Sequence, residues 1–262
     1  MSALEFAIAN VFRHFFFGLR LAVTWAIIAS PVAAAVWFSA FHGALPDLAV
    51  PSPRAIGGLA VLGTMLLLAS FSIAVNWHRR IILNEKPCWL GWVRLNGVVW
   101  RYLFCFLFIA AVVGAAAAGV FAVQTYAVPA LEPQLAAAAK PVGIGISVLL
   151  GLFGLFTWYR LSTLLPAIAT GDKDYSIDTA WKATRNNRAR FLGFTFWLLF
   201  SLAIAGGVGV GAFLAQKALN NPYATAAAFA IMGLLVWLAL FFITTIAASH
   251  YAHFSQHGDK AK

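Results

Sequence analysis

The chain has 262 residues, of which 62% are hydrophobic and 10% charged, and its mean hydropathy is +0.85. A water-soluble domain carries about a quarter charged residues, so this composition excludes an ordinary soluble globule and points to an all-α membrane protein. The net charge of +10 would suit nucleic acid, but among apolar spans it is what the positive-inside rule deposits in cytoplasmic loops. The expected counter-charge is therefore anionic lipid, and no nucleic acid is expected.

Leu4, Ile8, Val11, Phe12 and Phe15 fall at helical spacing, with Glu5, Asn10, Arg13 and His14 off that stripe. The pattern predicts an amphipathic helix lying in the interface. Its length and apolar core do not suit a cleaved signal peptide, so it is expected to stay attached. A first span follows, about 16–41, with Arg20 near one end to snorkel and Pro31 predicting a kink. The loop 45–54 carries Pro46, Pro51 and Pro53. The second span, about 55–77, holds no charge and stops at His78-Arg79-Arg80. Trp89, Trp92, Val93, Asn96, Val99 and Trp100 then repeat at helical spacing, which predicts a short interfacial helix across 87–101.

The third span, about 102–128, carries small residues at Ala111, Ala115 and Gly119, and the fourth, about 142–169, at Gly143, Ser147 and Gly151. Both stripes predict close helix approach. Gly143 and Gly145 have no preceding strand, so no nucleotide fingerprint is read there. Asp172 and Asp174 follow Gly171 in a turn. Ser176 is the predicted N-cap of a basic helix running to about Arg190. A fifth span, about 191–216, has Gly207 and Gly211 in a GxxxG pair, and a sixth runs over about 224–251.

Sorting Lys and Arg by loop leaves Arg54, Lys140 and Lys217 on one side and all the others on the opposite side. Six spans with both termini cytoplasmic fit that asymmetry. The expected architecture is a single domain over 1–262, with about six transmembrane helices and N-terminal and cytoplasmic interfacial amphipathic helices. Segments 55–128 and 142–216 also echo each other. Trp77-His78-Arg79 and Trp158-Tyr159-Arg160 end spans, while Trp92…Arg101 and Trp181…Arg190 share a nine-residue spacing with Asn between. A parallel repeat about the membrane normal would give this pattern, and so would independent selection of Trp and Arg by headgroups.

Cys88 and Cys105 lack any C-x-x-C or Cys/His spacing, so neither zinc nor a disulfide framework is expected. His250, His253 and His257 share a helical face but no carboxylate or Cys joins them, and no metal is expected there. Paired carboxylates and nucleophile–base sets are missing from the pattern, which argues against an enzyme and against a cofactor. The candidate lipid- or partner-binding residues are the basic and aromatic ones on the charged side. They are Arg79, Arg80, Trp92, Arg101, Arg160, Trp181, Lys182, Arg185, Asn186, Asn187, Arg188 and Arg190.

The segment Pro166-Ala-Ile-Ala, a polar turn, then Ala180-Trp181-x-x-Thr184-x-x-Asn187-x-x-Arg190 resembles bacterial inner-membrane proteins of the YciC-like group. It also resembles the membrane domain attached to some glycerophosphodiester phosphodiesterases. The likeness covers about a tenth of the chain. It implies a multi-pass architecture in a bacterial inner membrane and no activity, since the chain has no soluble catalytic portion. The reading reached is a protein that binds anionic lipid headgroups, a protein partner or a second copy through a basic, Trp-rich cytoplasmic face. The alternative is a transporter or channel for an uncharged or anionic small molecule, although no Asp or Glu lies inside a predicted span.

Overall fold

Long apolar runs satisfy their backbone groups within a bilayer by forming helices, and helix dominates the structure. The computed structural model describes residues 3–41, 53–86, 93–135, 138–185, 187–219, 237 and 240–255, and these hold no strand. In chain order the helices are α1 (Ala3–Arg13), α2 (Phe15–Phe41), α3 (Pro53–Leu83) and α4 (Gly97–Ala122). A π-helical turn (Val123–Ala127) leads into α5 (Val128–Leu135). Then come α6 (Ala139–Leu161), α7 (Leu164–Thr170), α8 (Ile177–Ala183) and α9 (Arg188–Leu219). A final helical stretch over 240–255 is α10. Four helical segments, Phe15–Val36, Ile56–Leu83, Gly97–Leu131 and Ala139–Thr170, are long and apolar enough to cross a membrane. Most of the predicted sixth span lies outside the described residues.

Large apolar side chains face outward along these segments, among them Phe104, Phe121 and Leu149, each 63–69% exposed. Water would penalise such a surface heavily, whereas lipid covers it without cost. Inward faces follow helical periodicity. In α2 the buried positions are Gly18, Leu21, Trp25, Ala29 and Val36. In α4 they are Val99, Tyr102, Ile109 and Ala116, a seam recurring at three- and seven-residue steps.

Small residues set how closely the helices approach, though not all the predicted ones. A Cβ on Gly154 would lie 3.3 Å from that of Ala116, and one on Gly119 would lie 3.2 Å from Leu150 Cδ1. Gly143 has no room for a Cβ against Val128. Thus α4 and α6 meet through Ala116, Gly119 and Gly154, while Gly143 of α6 abuts Val128 at the start of α5. The predicted stripe members Ala111 and Ala115 are exposed, and a Cβ on Gly151, Gly207 or Gly211 would meet nothing within 4 Å among the described residues. Gln124 donates to Ser147 Oγ at 2.8 Å in the same interface.

Two further expectations are corrected. The interfacial helix expected over 87–101 is broken in its described part, because Val93–Asn96 are not helical. Asn96 instead takes an extended conformation, accepts the Val98 N–H at Oδ1, and starts α4 at Gly97. Similarly, Ser176 caps α8 as expected, accepting from Thr179 N, but that helix stops at Ala183. Thr184 turns its hydroxyl back to Ala180 O at 2.8 Å, the local bonding that weakens helix continuation, and α9 begins afresh at Arg188. Pro31 sits inside α2, which continues through it.

Burial is concentrated at one end of the bundle. Phe71, Val75, Val99, Tyr102, Leu161, Leu164, Leu165, Ala167, Tyr175 and Tyr251 form one core there, beside a second of Tyr159, Phe194 and Ile246. The middle of α10 is enclosed, with every residue from Thr245 to Tyr251 buried. Its Phe241 lies 4.3 Å from the Trp77 ring, and Thr245 Oγ1 accepts the Trp77 indole N–H at 2.8 Å. On its other flank His250 packs edge-on to Tyr159.

Candidate functional site

The charges gather at this same end, where α3 and α6 finish and α4 and α9 begin, and three polar centres organise it. The first is Glu85. Asn84 adopts φ 52° as α3 ends, a left-handed conformation that Asn tolerates, and this folds Glu85 back over the helix end. Arg79 Nε donates to Glu85 Oε2 at 2.6 Å, and Arg94 Nη2 donates to Oε1 at 2.9 Å. Arg79 Nη1 also reaches Ala169 O at 2.9 Å. One carboxylate thus ties α3 to the approach to α4, while its arginine ties α3 to α7. Burial pushes the Glu85 carboxyl up, but the hydrogen bonds and charges of Arg79 and Arg94 outweigh it and hold the group below its usual range.

Asp172 is the second. Gly171, at φ 82°, closes α7: its N–H bonds Ile168 O, and the Asp172 N–H bonds Ala167 O, a Schellman closure that glycine allows. Asp172 Oδ1 accepts the Asp174 and Tyr175 N–H groups, and Oδ2 accepts the Tyr251 hydroxyl at 2.6 Å. The Tyr175 hydroxyl is pushed up by burial, lowered by its bond to Thr163 and raised by the Asp172 charge, with a net rise. It therefore remains a donor at neutral pH, directed at Thr163 Oγ1.

Arg160 is the third. Its guanidinium lies 4.1 Å from the centroid of Phe156 and 4.3 Å from that of Trp181, and Nη1 donates to Trp181 O at 2.9 Å. The residue is 5% exposed, yet Nε has no hydrogen-bond partner. The stacking anchors α8 onto α6.

These contacts divide the expected site residues into two groups. Arg79 and Arg160 are engaged inside the protein. Arg80 is half-buried over the Phe17 ring and donates to Asn84 O. Asn187, half-buried, donates to Ala183 O. Arg101 and Arg185 are exposed, Trp181 is 40% exposed, and Lys182 pairs with Asp178 at 2.6 Å on the open face of α8. Arg188 and Arg190 start α9, but their side chains fall outside the described residues, as do Trp92 and Asn186. Exposed Trp and cation therefore adjoin twice, as Trp100 with Arg101 and as Trp181 with Lys182. No family model matches the chain, and no curated protein or solved structure matches it.

Among the described residues no group of three or more His, Cys, Asp or Glu converges. His250, considered as a ligand with His253 and His257, is buried between Tyr159 and Phe194, and His257 lies outside the described residues. Sequence reading missed Glu85 and Tyr251. Glu85 was legible as the lone acid in a basic loop, where it must meet a cation. Tyr251, one polar tip at the end of an apolar run, gave no local sign of its partner 79 residues away.

Proposed function

We propose that this protein is an integral inner-membrane protein with six crossings and cytoplasmic termini, whose charged end recognises anionic lipid headgroups. The observation that carries the reading is the twofold pairing of an outward Trp with an outward cation, Trp100–Arg101 and Trp181–Lys182, at one end of the bundle. Indole rings favour the boundary between acyl chains and headgroups, and each cation near an anionic surface contributes about 1 kcal/mol. Helix length supports the level. The 31 residues of α3 extend about 46 Å, against roughly 30 Å of hydrocarbon, so its Arg79–Arg80 end reaches the headgroups.

The test is the lipid that co-purifies from a membrane of mixed phosphatidylethanolamine and phosphatidylglycerol. Wild type is expected to be enriched in phosphatidylglycerol over the bulk, and the double variant Arg101→Gln, Lys182→Gln is expected to lose that enrichment. Equal composition in both would sink the reading. A reporter fused after Lys262 is expected on the cytoplasmic side; periplasmic signal would reverse the orientation.

A further inference from the structure

Helices α1 and α2 present one edge to the protein and the opposite edge outward, and both edges run through the joint at His14. The His14 N–H bonds Asn10 O at 2.9 Å and the Gly18 N–H bonds His14 O at 3.0 Å, so the helical register carries over from α1 into α2. On the inner edge Phe6, Asn10 and His14 are half-buried, and Gly18, Leu21 and Trp25 are buried. That edge meets the end of α3. His14 lies edge-on to Trp77, a Cβ on Gly18 would lie 3.1 Å from Trp77 Cζ3, and Arg80 sits over the Phe17 ring. On the opposite side of the helix, Ile8, Phe12 and Phe16 are 41%, 77% and 75% exposed, and the row continues as Val23 and Ile27.

Val23 and Ile27 belong to a segment long and apolar enough to cross a membrane, where lipid covers them. The same row reaches Phe12, so the same cover extends onto α1. The level agrees. The 27 residues of α2 extend about 40 Å, against roughly 30 Å of hydrocarbon, so the joint at His14 falls beside the headgroups, as the Trp77–Arg80 end of α3 does. An α1 standing clear of the bilayer would carry Ile8 and Phe12 into water, which penalises them. Charge agrees as well. Arg13 and Arg20 fall seven residues apart, on one flank of the outer row. Both are exposed, and neither pairs with an acid among the described residues. The single acid of α1, Glu5, sits in its first turn, where the helix dipole favours it. We propose that the outer edge of α1 is a contact surface for an anionic lipid leaflet, with Phe12 and Phe16 at the acyl–headgroup boundary and Arg13 and Arg20 at the phosphates. Arg20, near the end of a span, reaches that level by snorkelling. This surface is separate from the two Trp–cation pairs, and it rests on the reading above for which end of the bundle meets the headgroups.

The test is spin labelling of the full chain in bilayers of phosphatidylcholine and phosphatidylglycerol. With Cys88→Ser and Cys105→Ser as background, the nitroxide is attached in turn through Phe12→Cys, Phe16→Cys, Asn10→Cys and Asp174→Cys. At 12 and 16, both exposed positions whose change spares the packing, oxygen dissolved in the lipid is expected to reach the label better than a water-soluble nickel chelate. The order is expected to reverse at 174, on the exposed turn, and position 10, on the inner edge, is expected to be reached less than 12 by both reagents. A label at 12 reached mainly by the chelate places α1 in water, and one shielded from both reagents places a partner chain or a second copy over it; either result overturns the inference. In a second arm, Arg13→Gln with Arg20→Gln is expected to weaken retention of phosphatidylglycerol about fivefold for each charge removed, with Arg101 and Lys182 intact. Unchanged retention overturns the assignment to an anionic leaflet. If enrichment depends on Arg101 and Lys182 alone, the reading of the Trp–cation pairs stands and this one falls; if it depends on Arg13 and Arg20 alone, the reverse holds; if wild type shows none, both fall.

Discussion

Replacing Glu85 by Gln keeps the side-chain volume and an accepting oxygen, and removes the charge that holds two guanidinium groups together. The three side chains are 31%, 21% and 16% exposed for Glu85, Arg79 and Arg94, intermediate between a surface pair at about 0–1 kcal/mol and a buried pair whose loss costs about 3–5 kcal/mol. The expected destabilisation at neutral pH is about 2 kcal/mol, interpolated between those limits. The pH dependence supplies a second constraint. The folded carboxyl titrates below its ordinary value of 4.5, so its contribution is complete above that value and is lost as pH falls through the folded pKa. Equilibrium unfolding in mixed micelles, followed by circular dichroism from neutral to acid pH, should show wild type and Glu85→Gln well separated at neutral pH and converging in acid. Curves within about 0.5 kcal/mol of each other at neutral pH, the range of an ordinary surface change, would refute the bridging role, as would a gap that persists undiminished in acid.

Other expectations follow from single contacts. Tyr251→Phe removes the hydroxyl bound to Asp172 at 2.6 Å and should cost about 1.5–3 kcal/mol, as bonds to charged groups do; an unfolding midpoint equal to wild type would contradict this. In a double-mutant cycle of Trp77→Phe and Thr245→Val, the 2.8 Å indole bond should give a coupling of about 0.6–1.7 kcal/mol, the range of interhelical bonds in membranes, and zero coupling would deny it. Gly154→Leu should destabilise by about 1–3 kcal/mol through overpacking against Ala116, while Gly114→Leu, which meets nothing within 4 Å, should be nearly neutral. Equal melting temperatures for the two would show that the α4–α6 contact is not close-packed.

Periodicity and composition carried the helical class, because a bilayer demands internally satisfied backbone whatever the side chains do. Local chemistry carried the Ser176 cap, since its partner Thr179 is three residues away. Where the reading failed, a choice between neighbouring registers was at stake. Ala111 and Ala115 are as small as Ala116, and only the position of Leu150 and Gly154 on the facing helix decides which are buried. The uninterrupted basic helix to Arg190 failed because Thr184 offers the backbone a competing bond that a charge-and-spacing argument does not weigh. Among the candidate site residues, charge alone did not separate Arg79 and Arg160, which are held inside, from Arg101 and Arg185, which face out. That distinction depends on Glu85, Phe156 and Trp181 meeting them in space.

The enclosed position of α10 bears on the order in which the molecule assembles. Trp77 and Thr245 are 168 residues apart, and Asp172 and Tyr251 are 79 apart, so the contacts that close the charged end are among those of longest sequence separation. Synthesis proceeds from the N-terminus, and the four long apolar segments between Phe15 and Thr170 are therefore made before the segment that plugs the socket between them. Until residues 240–255 arrive, the Trp77 indole lacks its Thr245 acceptor and Asp172 lacks its tyrosine. Late, long-range closure of this kind slows folding. It also makes seating of the last helix the checkpoint at which a correctly threaded chain becomes a finished one.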